Sequence, residues 1–308
     1  MADSGVRESN VHPYATLAYA NTLGHVGRPI HVPAWQTYVI AREWRDRAVD
    51  AMGAYPVACL SSECDLDRGL EYLRDAGMVS ITLVVDSLVG PSIRQFQDAF
   101  SIARRFKMHY LVDERSGPYQ PSRHHTNELR RAVKRGVDVR VVPLREILDL
   151  WATLYGDLIS RHSIAGVQRF SRASFEALSV CEGLCTVAAF IGDELVSCHL
   201  WIQHENIVWS HLAATSELGY ASSAAYAVYD YSIRFFSGRL INLGGAAGVD
   251  DAQTDGLARF KAGFSNRQHD AYLCGAVLDA GKYQALCAER ELPAGEYFPA
   301  YRAPSALA

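Results

Sequence analysis

The sequence predicts an α/β (α+β) fold of two tandem domains, each a mixed, mostly antiparallel sheet flanked by helices. Apolar runs of strand length alternate with segments of helical apolar spacing in both halves of the chain. Three strand-like segments between residues 185 and 214 are joined by two-residue turns, as expected for antiparallel hairpins. The length of 308 residues fits two domains, each with its own core.

Residues 66–112 alternate between helix and strand. Leu66, Leu70 and Leu73 recur at helical spacing, and Gly77 follows them at a position that favours the end of a helix. An apolar run beginning at Val79 has the length of a strand that is covered on both faces. The elements predicted for the first half are strands or turns at 35–40 and 48–59, a helix at 66–76, a strand at 79–85, a helix at 91–106 and a strand at 108–112.

The second half begins after a loop, because residues 116–125 contain two prolines and one glycine. Pro143 ends the next strand, and we place the domain boundary beside it, giving domains of residues 1–145 and 146–308. The predicted elements are helices at 126–135, 144–159, 170–178 and 220–236, and strands at 137–142, 185–191, 194–203, 207–214 and 240–243. The order after residue 143 is two helices, three antiparallel strands, a helix and a strand, which resembles the core of a GNAT-type acyltransferase.

Composition and charge exclude several classes of protein. Hydrophobic residues make up 49% of the chain and charged residues 21%, so a disordered, collagen-like or coiled-coil protein is excluded. The net charge of -4 does not indicate general nucleic-acid binding. Seven scattered cysteines fit reduced thiols, and the polar N-terminus lacks the apolar stretch of a secretory signal. No apolar run is long enough to span a membrane, so we expect a cytoplasmic enzyme.

A basic segment stands out at residues 123–140. It holds six lysines or arginines and two acidic residues, a net charge of +4, so the rest of the chain carries -8. A positive island of this kind binds phosphate groups, although a solvated helical face gives the same pattern. On a helix we expect Val133 to face inward. The basic residues that helical spacing places together on the exposed side are Arg130, Arg131, Lys134 and Arg135.

A second segment runs from an N-L-G-G motif at 242–245 to the string G-L-A-R-F-K-A-G-F at 256–264. Its glycines lack the spacing of a dinucleotide fingerprint or a phosphate-binding loop. Lys261 lies between Phe260 and Phe264 in the sequence, and a lysine held by apolar neighbours can stabilise a developing oxyanion. A surface lysine whose stem lies along apolar side chains gives the same spacing. The aspartates between the two motifs lack EF-hand spacing, so we expect no metal site.

Together these motifs carry a resemblance to a known family. The string T-x-E-L-R-R-A-x-K-R-G followed by a V-x-V strand, with N-L-G-G and G-L-x-x-F-K-x-G-F downstream, resembles the FemABX-like branch of the GNAT superfamily. The resemblance implies two GNAT-like domains and an enzyme that joins an amino acid, delivered as aminoacyl-tRNA, to an amine. That amine belongs to a peptidoglycan precursor or, in shorter relatives, to a peptide-type natural product.

The resemblance also implies roles for individual residues. Lys261, beside Phe260, corresponds to the lysine thought to stabilise the tetrahedral oxyanion, and Arg130–Arg135 to the family's basic helix, which we assign to the tRNA donor. The long helical hairpin of some relatives and an amphipathic membrane helix are both missing from the sequence. We therefore expect a soluble peptide or amine acceptor, as in antibiotic biosynthesis. We place two tyrosines of the helix predicted at 220–236 beside the acceptor, although tyrosines on such a helix are also typical of core packing. The residues assigned to the acceptor site are Tyr226, Tyr229 and Asn242.

The identity of the donor leaves alternatives open. Coenzyme A-dependent GNAT enzymes carry Q/R-x-x-G-x-G/A after the fourth strand, where backbone N–H groups bind pyrophosphate. Here Gly219, Tyr220 and Ala221 keep the G-x-A half, but Ser216 replaces the Gln or Arg and Glu217 adds a negative charge. This favours aminoacyl-tRNA as a co-substrate, with no bound cofactor, over acyl-CoA. A third hypothesis is a non-catalytic double-GNAT binding module in which the lysine is structural.

Overall fold

The computed structural model describes residues 11–45, 48–246, 256–289 and 297–303 of the chain. The strands are β1 (Arg28–Val32), β2 (Thr37–Trp44), β3 (Ala48–Met52), β4 (Ser80–Val85), β5 (Ile102–Val112), β6 (Asp138–Val141), β7 (Leu184–Ile191), β8 (Glu194–His204), β9 (Ile207–Thr215), β10 (Leu240–Asn242) and β11 (Arg267–Val277). The helices are α1 (Leu17–Thr22), α2 (Leu66–Asp75), α3 (Ile93–Ala99), α4 (Arg123–Lys134), α5 (Leu148–His162), α6 (Arg172–Leu178), α7 (Glu217–Ala221), α8 (Ala224–Phe235), α9 (Gly256–Ala262) and α10 (Ala280–Ala288).

The eleven strands of the described residues belong to one continuous mixed sheet. Their order from edge to edge is β1, β2, β3, β4, β11, β5, β10, β9, β8, β7, β6. Within the described residues only the β3–β4 and β9–β10 pairs are parallel. The predicted hairpins of β7, β8 and β9 are confirmed, since both pairs are antiparallel. The fold is therefore the mixed α/β arrangement that the sequence predicts.

The order of strands in this sheet does not divide at residue 145, the predicted domain boundary. Strand β6 precedes that residue, yet it pairs with β7 at the far edge. Strand β11 follows that residue, yet it lies between β4 and β5. The division into domains of residues 1–145 and 146–308 stays a prediction, and each half of the sheet contains a strand from the other side of it.

Apolar side chains fill the space between the sheet and its helices in three main clusters. One contains Trp151 of α5 and Phe175 of α6, packed with residues of β7, β8 and β9. Another joins α2 and α3 to β4. The third joins α8 to the same three strands and includes Phe264, which is 1% exposed. This third cluster supports the segment that carries Lys261.

The helix predicted at 91–106 is wrong in its second half. Helix α3 begins with a capping box between Ser92 and Gln95 and ends at Ala99, and Phe100 has extended backbone angles. Residues from Ile102 onward belong to β5, which pairs with β11 over most of its length. The apolar spacing at 91–106 was compatible with a helix, but pairing with a strand more than 150 residues away determined the conformation.

The helix predicted at 220–236 is two helices. Helix α7 ends at Ala221 and α8 begins at Ala224. Ser223, between them, has a left-handed backbone with φ of 63°. Its side chain donates to the Glu128 carboxylate of α4 at 2.5 Å, so the break between the two helices is tied to the basic helix.

Five of the described histidines are buried, four of them in and beside the sheet and His125 in α4. Burial lowers the pKa of His12, His109 and His211 to about 3 in each case, with charged neighbours adding to the effect at His12 and His109. Burial lowers the pKa of His199 well below its usual range, and its Nδ1 atom has no hydrogen-bond partner among the described residues. These rings are therefore neutral in the folded protein at neutral pH.

We predict that the free energy of unfolding falls as the pH drops below about 6.5, the ordinary histidine pKa. Below that pH the histidines of the unfolded chain bind protons that the buried histidines of the folded protein do not. This costs roughly 1 kcal/mol of unfolding free energy per buried histidine by about one pH unit lower. Asp86 opposes this trend, because burial raises the pKa of its carboxyl. Urea unfolding at pH 7.5 and 5.5 measures the difference.

The variant His211→Gln should reduce the difference between the two pH values by roughly 1 kcal/mol, because one of the neutral rings is removed. His162→Gln at the exposed end of α5 is the matched control. An equal unfolding free energy at both pH values would contradict the account.

Candidate functional site

Lys261 is buried in the last turn of α9. Its side chain is 7% exposed, and Nζ donates a hydrogen bond to the Gly245 carbonyl oxygen at 2.6 Å. The alternative of a surface lysine with its stem along apolar neighbours is therefore wrong. A buried ammonium group keeps its charge only when polar atoms replace water around it, and the Gly245 carbonyl provides one such atom.

The glycines of the N-L-G-G motif allow this close approach. Gly244 has φ of +75°, a conformation that favours glycine, and a Cβ atom there would lie 3.3 Å from Lys261 Nζ. A Cβ atom on Gly245 would lie 3.1 Å from the Met108 carbonyl oxygen of β5. The motif is therefore a backbone segment placed between the sheet and the lysine, in agreement with its failure to match a phosphate-binding loop.

Aromatic rings surround the helix turn that carries Lys261. Phe260 packs edge-on against Tyr226 at 4.9 Å and Tyr229 at 4.8 Å between ring centroids, both from α8. Phe264 lies 5.2 Å from Phe260 and stacks on Tyr229 at 5.6 Å. The structure therefore brings together Lys261, Phe260, Tyr226 and Tyr229, four of the residues that the sequence assigned to the catalytic and acceptor sites. Tyr226 is partly exposed and Tyr229 is buried.

The third acceptor residue, Asn242, lies beneath the glycine segment. It is 1% exposed, and its Oδ1 atom accepts from the Gly244 N–H at 2.8 Å. Its Nδ2 atom donates to the Asp86 carboxylate at 3.0 Å and to His109 Nδ1 at 3.1 Å. The Asn242 amide is thus bonded on both sides to protein atoms, and it holds the segment that contacts Lys261.

Asp86 is a member of the site that sequence reasoning missed. It follows β4 directly, it is 2% exposed, and its carboxylate accepts from Trp209 Nε1 at 2.8 Å as well as from Asn242. The His269 ring contacts its carbonyl oxygen. Burial raises the pKa of the Asp86 carboxyl, and the donors from Trp209 and the Leu88 backbone oppose that rise. A polar residue directly after a buried apolar run was the available signal in the sequence.

Two further histidines complete the polar surroundings of the lysine. The positive charge of Lys261 contributes, after burial, to the low pKa of both His109 on β5 and His199 on β8. The His199 Nε2 atom lies 2.8 Å from Ser210 Oγ. A neutral imidazole near a buried cation avoids a second positive charge there. The sequence did not show that these two histidines lie near the lysine, because their strands are far apart along the chain.

The predicted basic helix is α4, and its charges lie in solvent. Arg130 donates to Asn127 at 3.1 Å and Arg131 lies 3.8 Å from Glu128, both within the helix. Lys134 is exposed, as is Arg135, which caps the helix. Val133 does not face inward as expected. It is 77% exposed, although α4 packs on α8.

His125 connects α4 to the lysine segment. It lies in the first turn of the helix, and its Nε2 atom is 2.8 Å from the Phe260 carbonyl oxygen. Ser122 Oγ lies 2.9 Å from its Nδ1 atom. A Cβ atom on Gly263 would fall 2.1 Å from the imidazole, so the glycine permits this packing. The helix then extends about 15 Å from His125 to Arg135, at about 1.5 Å per residue.

The predicted donor loop at 219–221 has other contacts. A Cβ atom on Gly219 would lie 2.1 Å from the Val196 carbonyl oxygen, so this glycine allows α7 to approach β8. Its N–H donates to Ser216 Oγ at 3.1 Å. The Tyr220 ring is 55% exposed and lies 5.5 Å from the Arg161 guanidinium. The Gly219 N–H, which would bind a pyrophosphate in the acyl-CoA alternative, thus already donates to the Ser216 side chain.

Neither a metal-binding cluster nor a membrane-spanning helix is found in the described ranges. Those residues contain no group of three or more His, Cys, Asp or Glu side chains arranged to hold a metal ion. In the same ranges, no helix has the length and apolar character needed to cross a bilayer.

Comparison with known proteins shows similarity in structure. No protein-family model and no curated protein sequence matches the chain. The C-terminal domain (DUF2156) of a protein described as a putative lysylphosphatidylglycerol synthetase from Agrobacterium fabrum has a TM-score of 0.62 at 16% identity, covering 91% of this chain and 92% of that one. FemX has a TM-score of 0.58 at 13% identity, covering 90% and 96%. The chain has the same fold as FemX.

A third structure has the same FemABX-like fold. L-PGS from Bacillus licheniformis has a TM-score of 0.60 at 13% identity, covering 86% of this chain and 88% of that one. The similarity extends over nearly the whole length of each protein. The FemABX-like fold expected from the residue motifs is therefore confirmed at the level of architecture.

We predict that Asn242→Ala lowers the free energy of unfolding by about 1–3 kcal/mol, because the buried Asp86 carboxylate and the Gly244 N–H each lose a partner. Urea unfolding followed by tryptophan fluorescence measures the loss. Asn206→Ala is the matched control, since Asn206 is exposed and bonds Leu240 through its backbone carbonyl, which the substitution keeps. Equal effects of the two substitutions would show that the Asn242 side chain does not hold the segment.

Proposed function

We propose that the protein is an aminoacyltransferase that moves an amino acid from aminoacyl-tRNA to the amine of a soluble acceptor. The observation that carries the proposal is the buried Lys261, held against the Gly245 carbonyl in a segment whose Phe260 packs on Tyr226. The FemABX-like fold supports an acyl or aminoacyl transfer, because FemX shares it over most of both chains. The basic helix α4, connected to the same segment through His125, favours a tRNA donor.

In this reaction the protein mainly positions the amine and the ester and stabilises the negative charge that develops between them. The acceptor nitrogen attacks the ester carbonyl carbon, a C–N bond forms, and the negative charge of the tetrahedral intermediate rests on the former carbonyl oxygen. The ester C–O bond then breaks, the tRNA hydroxyl leaves, and the proton from the amine passes to it. In this proposal the Lys261 ammonium group stabilises the oxyanion, and no covalent enzyme intermediate is needed.

The distribution of charge favours a polyanionic donor. Helix α4 belongs to a segment of net charge +4 on a chain whose remainder carries -8, so the attraction for phosphate is local. The tRNA backbone would lie along the exposed basic residues, with its aminoacylated end towards His125 and Phe260. The acceptor amine would enter beside Tyr226, the partly exposed tyrosine of the pair. A peptide-type natural product intermediate, as in antibiotic biosynthesis, fits such a site.

An acyl-CoA donor is the second candidate. Gly219 and Ala221 keep half of the pyrophosphate motif within α7. The Ser216 hydroxyl already accepts the Gly219 N–H, and Glu217 places a negative charge in the first turn of α7. Both features oppose a bound pyrophosphate, which is why the tRNA donor is preferred.

We predict that Lys261→Ala lowers kcat for amide formation by about 10²–10³-fold with little change in donor affinity, because the oxyanion contact forms mainly in the transition state. The assay follows a labelled amino acid from aminoacyl-tRNA into a peptide acceptor. Lys282→Ala is the matched control, since Lys282 is exposed and paired with Asp279 at 3.1 Å. Unchanged turnover in Lys261→Ala would remove the lysine from the mechanism and favour a structural role, as in a binding module.

We predict that the double variant Arg130→Ala/Lys134→Ala binds tRNA more weakly and reduces the slope of log affinity against log salt by about one or two. It should fold normally, because removal of a like-charge pair one helical turn apart relieves a few tenths of a kcal/mol of repulsion. The control is Arg68→Ala/Arg74→Ala on the exposed side of α2, which removes the same charge elsewhere. If both variants weaken binding equally, α4 is not the tRNA contact.

A further inference from the structure

Strand β6 ends the sheet, and one of its edges has no neighbouring strand among the described residues. Val142 donates from its backbone N–H to Thr186, and Asp138 and Arg140 stand opposite Phe190 and Ala188 of β7. Antiparallel bonding alternates along a strand, so the even-numbered residues of β6 bond to β7. The N–H and C=O groups of Val139 and Val141 therefore point away from the sheet.

The sequence of this edge is complementary to itself. Residues 137–141 read V-D-V-R-V, with valines at the odd positions and opposite charges on either side of Val139. Reversing such a strand about its centre exchanges the acid and the base. We infer that the β6 edge pairs antiparallel with β6 of a second copy of this chain, centred on Val139, so that the two sheets become continuous across a twofold axis.

Charge restricts the pairing to this one register. Because the outward-pointing groups belong to odd-numbered residues, Val139 can face Val137, Val139 or Val141 of the second copy. The pairing of Val139 with itself places Asp138 opposite the other copy's Arg140 twice. The pairing with Val141 places Arg140 opposite Arg140, and that with Val137 places Asp138 opposite Asp138. Like charges directly opposite destabilise an antiparallel pair.

The chosen register makes four backbone hydrogen bonds. Two form between the Val139 residues, and two form from Val141 N–H groups to Val137 carbonyls. The Val137 N–H already donates to the Ala132 carbonyl at 3.1 Å, so it needs no partner across the axis. The charged side chains are available as well, since Asp138 and Arg140 are 64% and 57% exposed, 3.3 Å apart within the strand.

An apolar groove beside β6 provides the side-chain surface. The groove has a volume of about 580 Å³ and lies between α4, β6 and α8. Residues directly opposite in a sheet project on the same face, so the second copy's valines would extend this surface beside Val133 and Phe235, which are 77% and 52% exposed. Val137 and Val139 of β6 line the groove themselves.

The basic helices do not prevent this association. Each α4 ends next to Val137 of its own strand, and the two Val137 residues stand about 14 Å apart along the paired strands, at about 3.4 Å per residue. That separation exceeds the screening length of about 8 Å at physiological ionic strength. The repulsion between the exposed ends of the two helices is therefore small compared with that in a directly opposed pair.

Analytical ultracentrifugation of the full chain over a wide concentration range tests the inference. The expected result is a monomer–dimer equilibrium. Asp138→Lys and Arg140→Glu should each raise the dimer dissociation constant about tenfold or more, because each creates two like-charged pairs by symmetry. Matched controls are Asp67→Lys and Arg68→Glu, both exposed on α2.

A mixture of the two charge variants gives the sharpest outcome. In a mixed dimer the introduced lysine faces the introduced glutamate, and Arg140 of one variant faces Asp138 of the other, so association should return to the level of the unaltered chain. Circular dichroism of each variant checks that it is folded. A monomer at every concentration, or a dimer that the single charge changes leave unaffected, would overturn the inference. Failure of the mixture to restore association would overturn the register.

Discussion

The buried hydrogen bonds of the Asp86 carboxylate are the constraint on which the rest of the site depends. This carboxylate joins Trp209 of β9 to Asn242 of β10, and Asn242 in turn fixes the Gly244 N–H. An unpaired buried carboxylate is costly, so these donors stabilise the folded protein. The same bonds that satisfy Asp86 therefore set the position of the glycine segment, and the segment sets the position of Lys261 through the Gly245 carbonyl.

This arrangement separates two positive regions with different surroundings. Lys261 is buried, with neutral histidines near it. The low polarity of these surroundings strengthens the electrostatic interaction of its ammonium group with a nearby negative charge. The charges of α4 are exposed and screened by salt. Their contribution to the affinity for a polyanion depends on how many phosphates they contact. His125 is the physical connection between the two regions, because its ring packs on Gly263 and bonds Phe260. One region serves chemistry and the other serves donor capture in the function proposed.

Local patterns in the sequence predicted those parts that depend on local interactions. The hairpins of β7 to β9 have their own turns, α4 has its own charge pattern, and Lys261 has aromatic neighbours within four residues, so each could be recognised. Asp86 and Asn242 lie 156 residues apart, and β11 enters the sheet beside β5 from the far end of the chain. No periodicity reports such contacts, which is why residues 102–106 were expected to be helical and Asp86 and His109 were missed. The left-handed backbone of Ser223 likewise depends on Glu128 of another helix.

The most direct test of the account identifies the donor. The purified chain is incubated with a pool of aminoacyl-tRNAs that carry isotope-labelled amino acids, with acetyl-CoA, and with a mixture of soluble peptide and amine acceptors, and the amide products are identified by mass spectrometry. We predict labelled amides whose formation stops after ribonuclease treatment, without release of coenzyme A thiol. Acylation that continues after ribonuclease treatment and releases the thiol would contradict a tRNA donor, and the absence of any amide product with every donor and acceptor would contradict transferase activity itself.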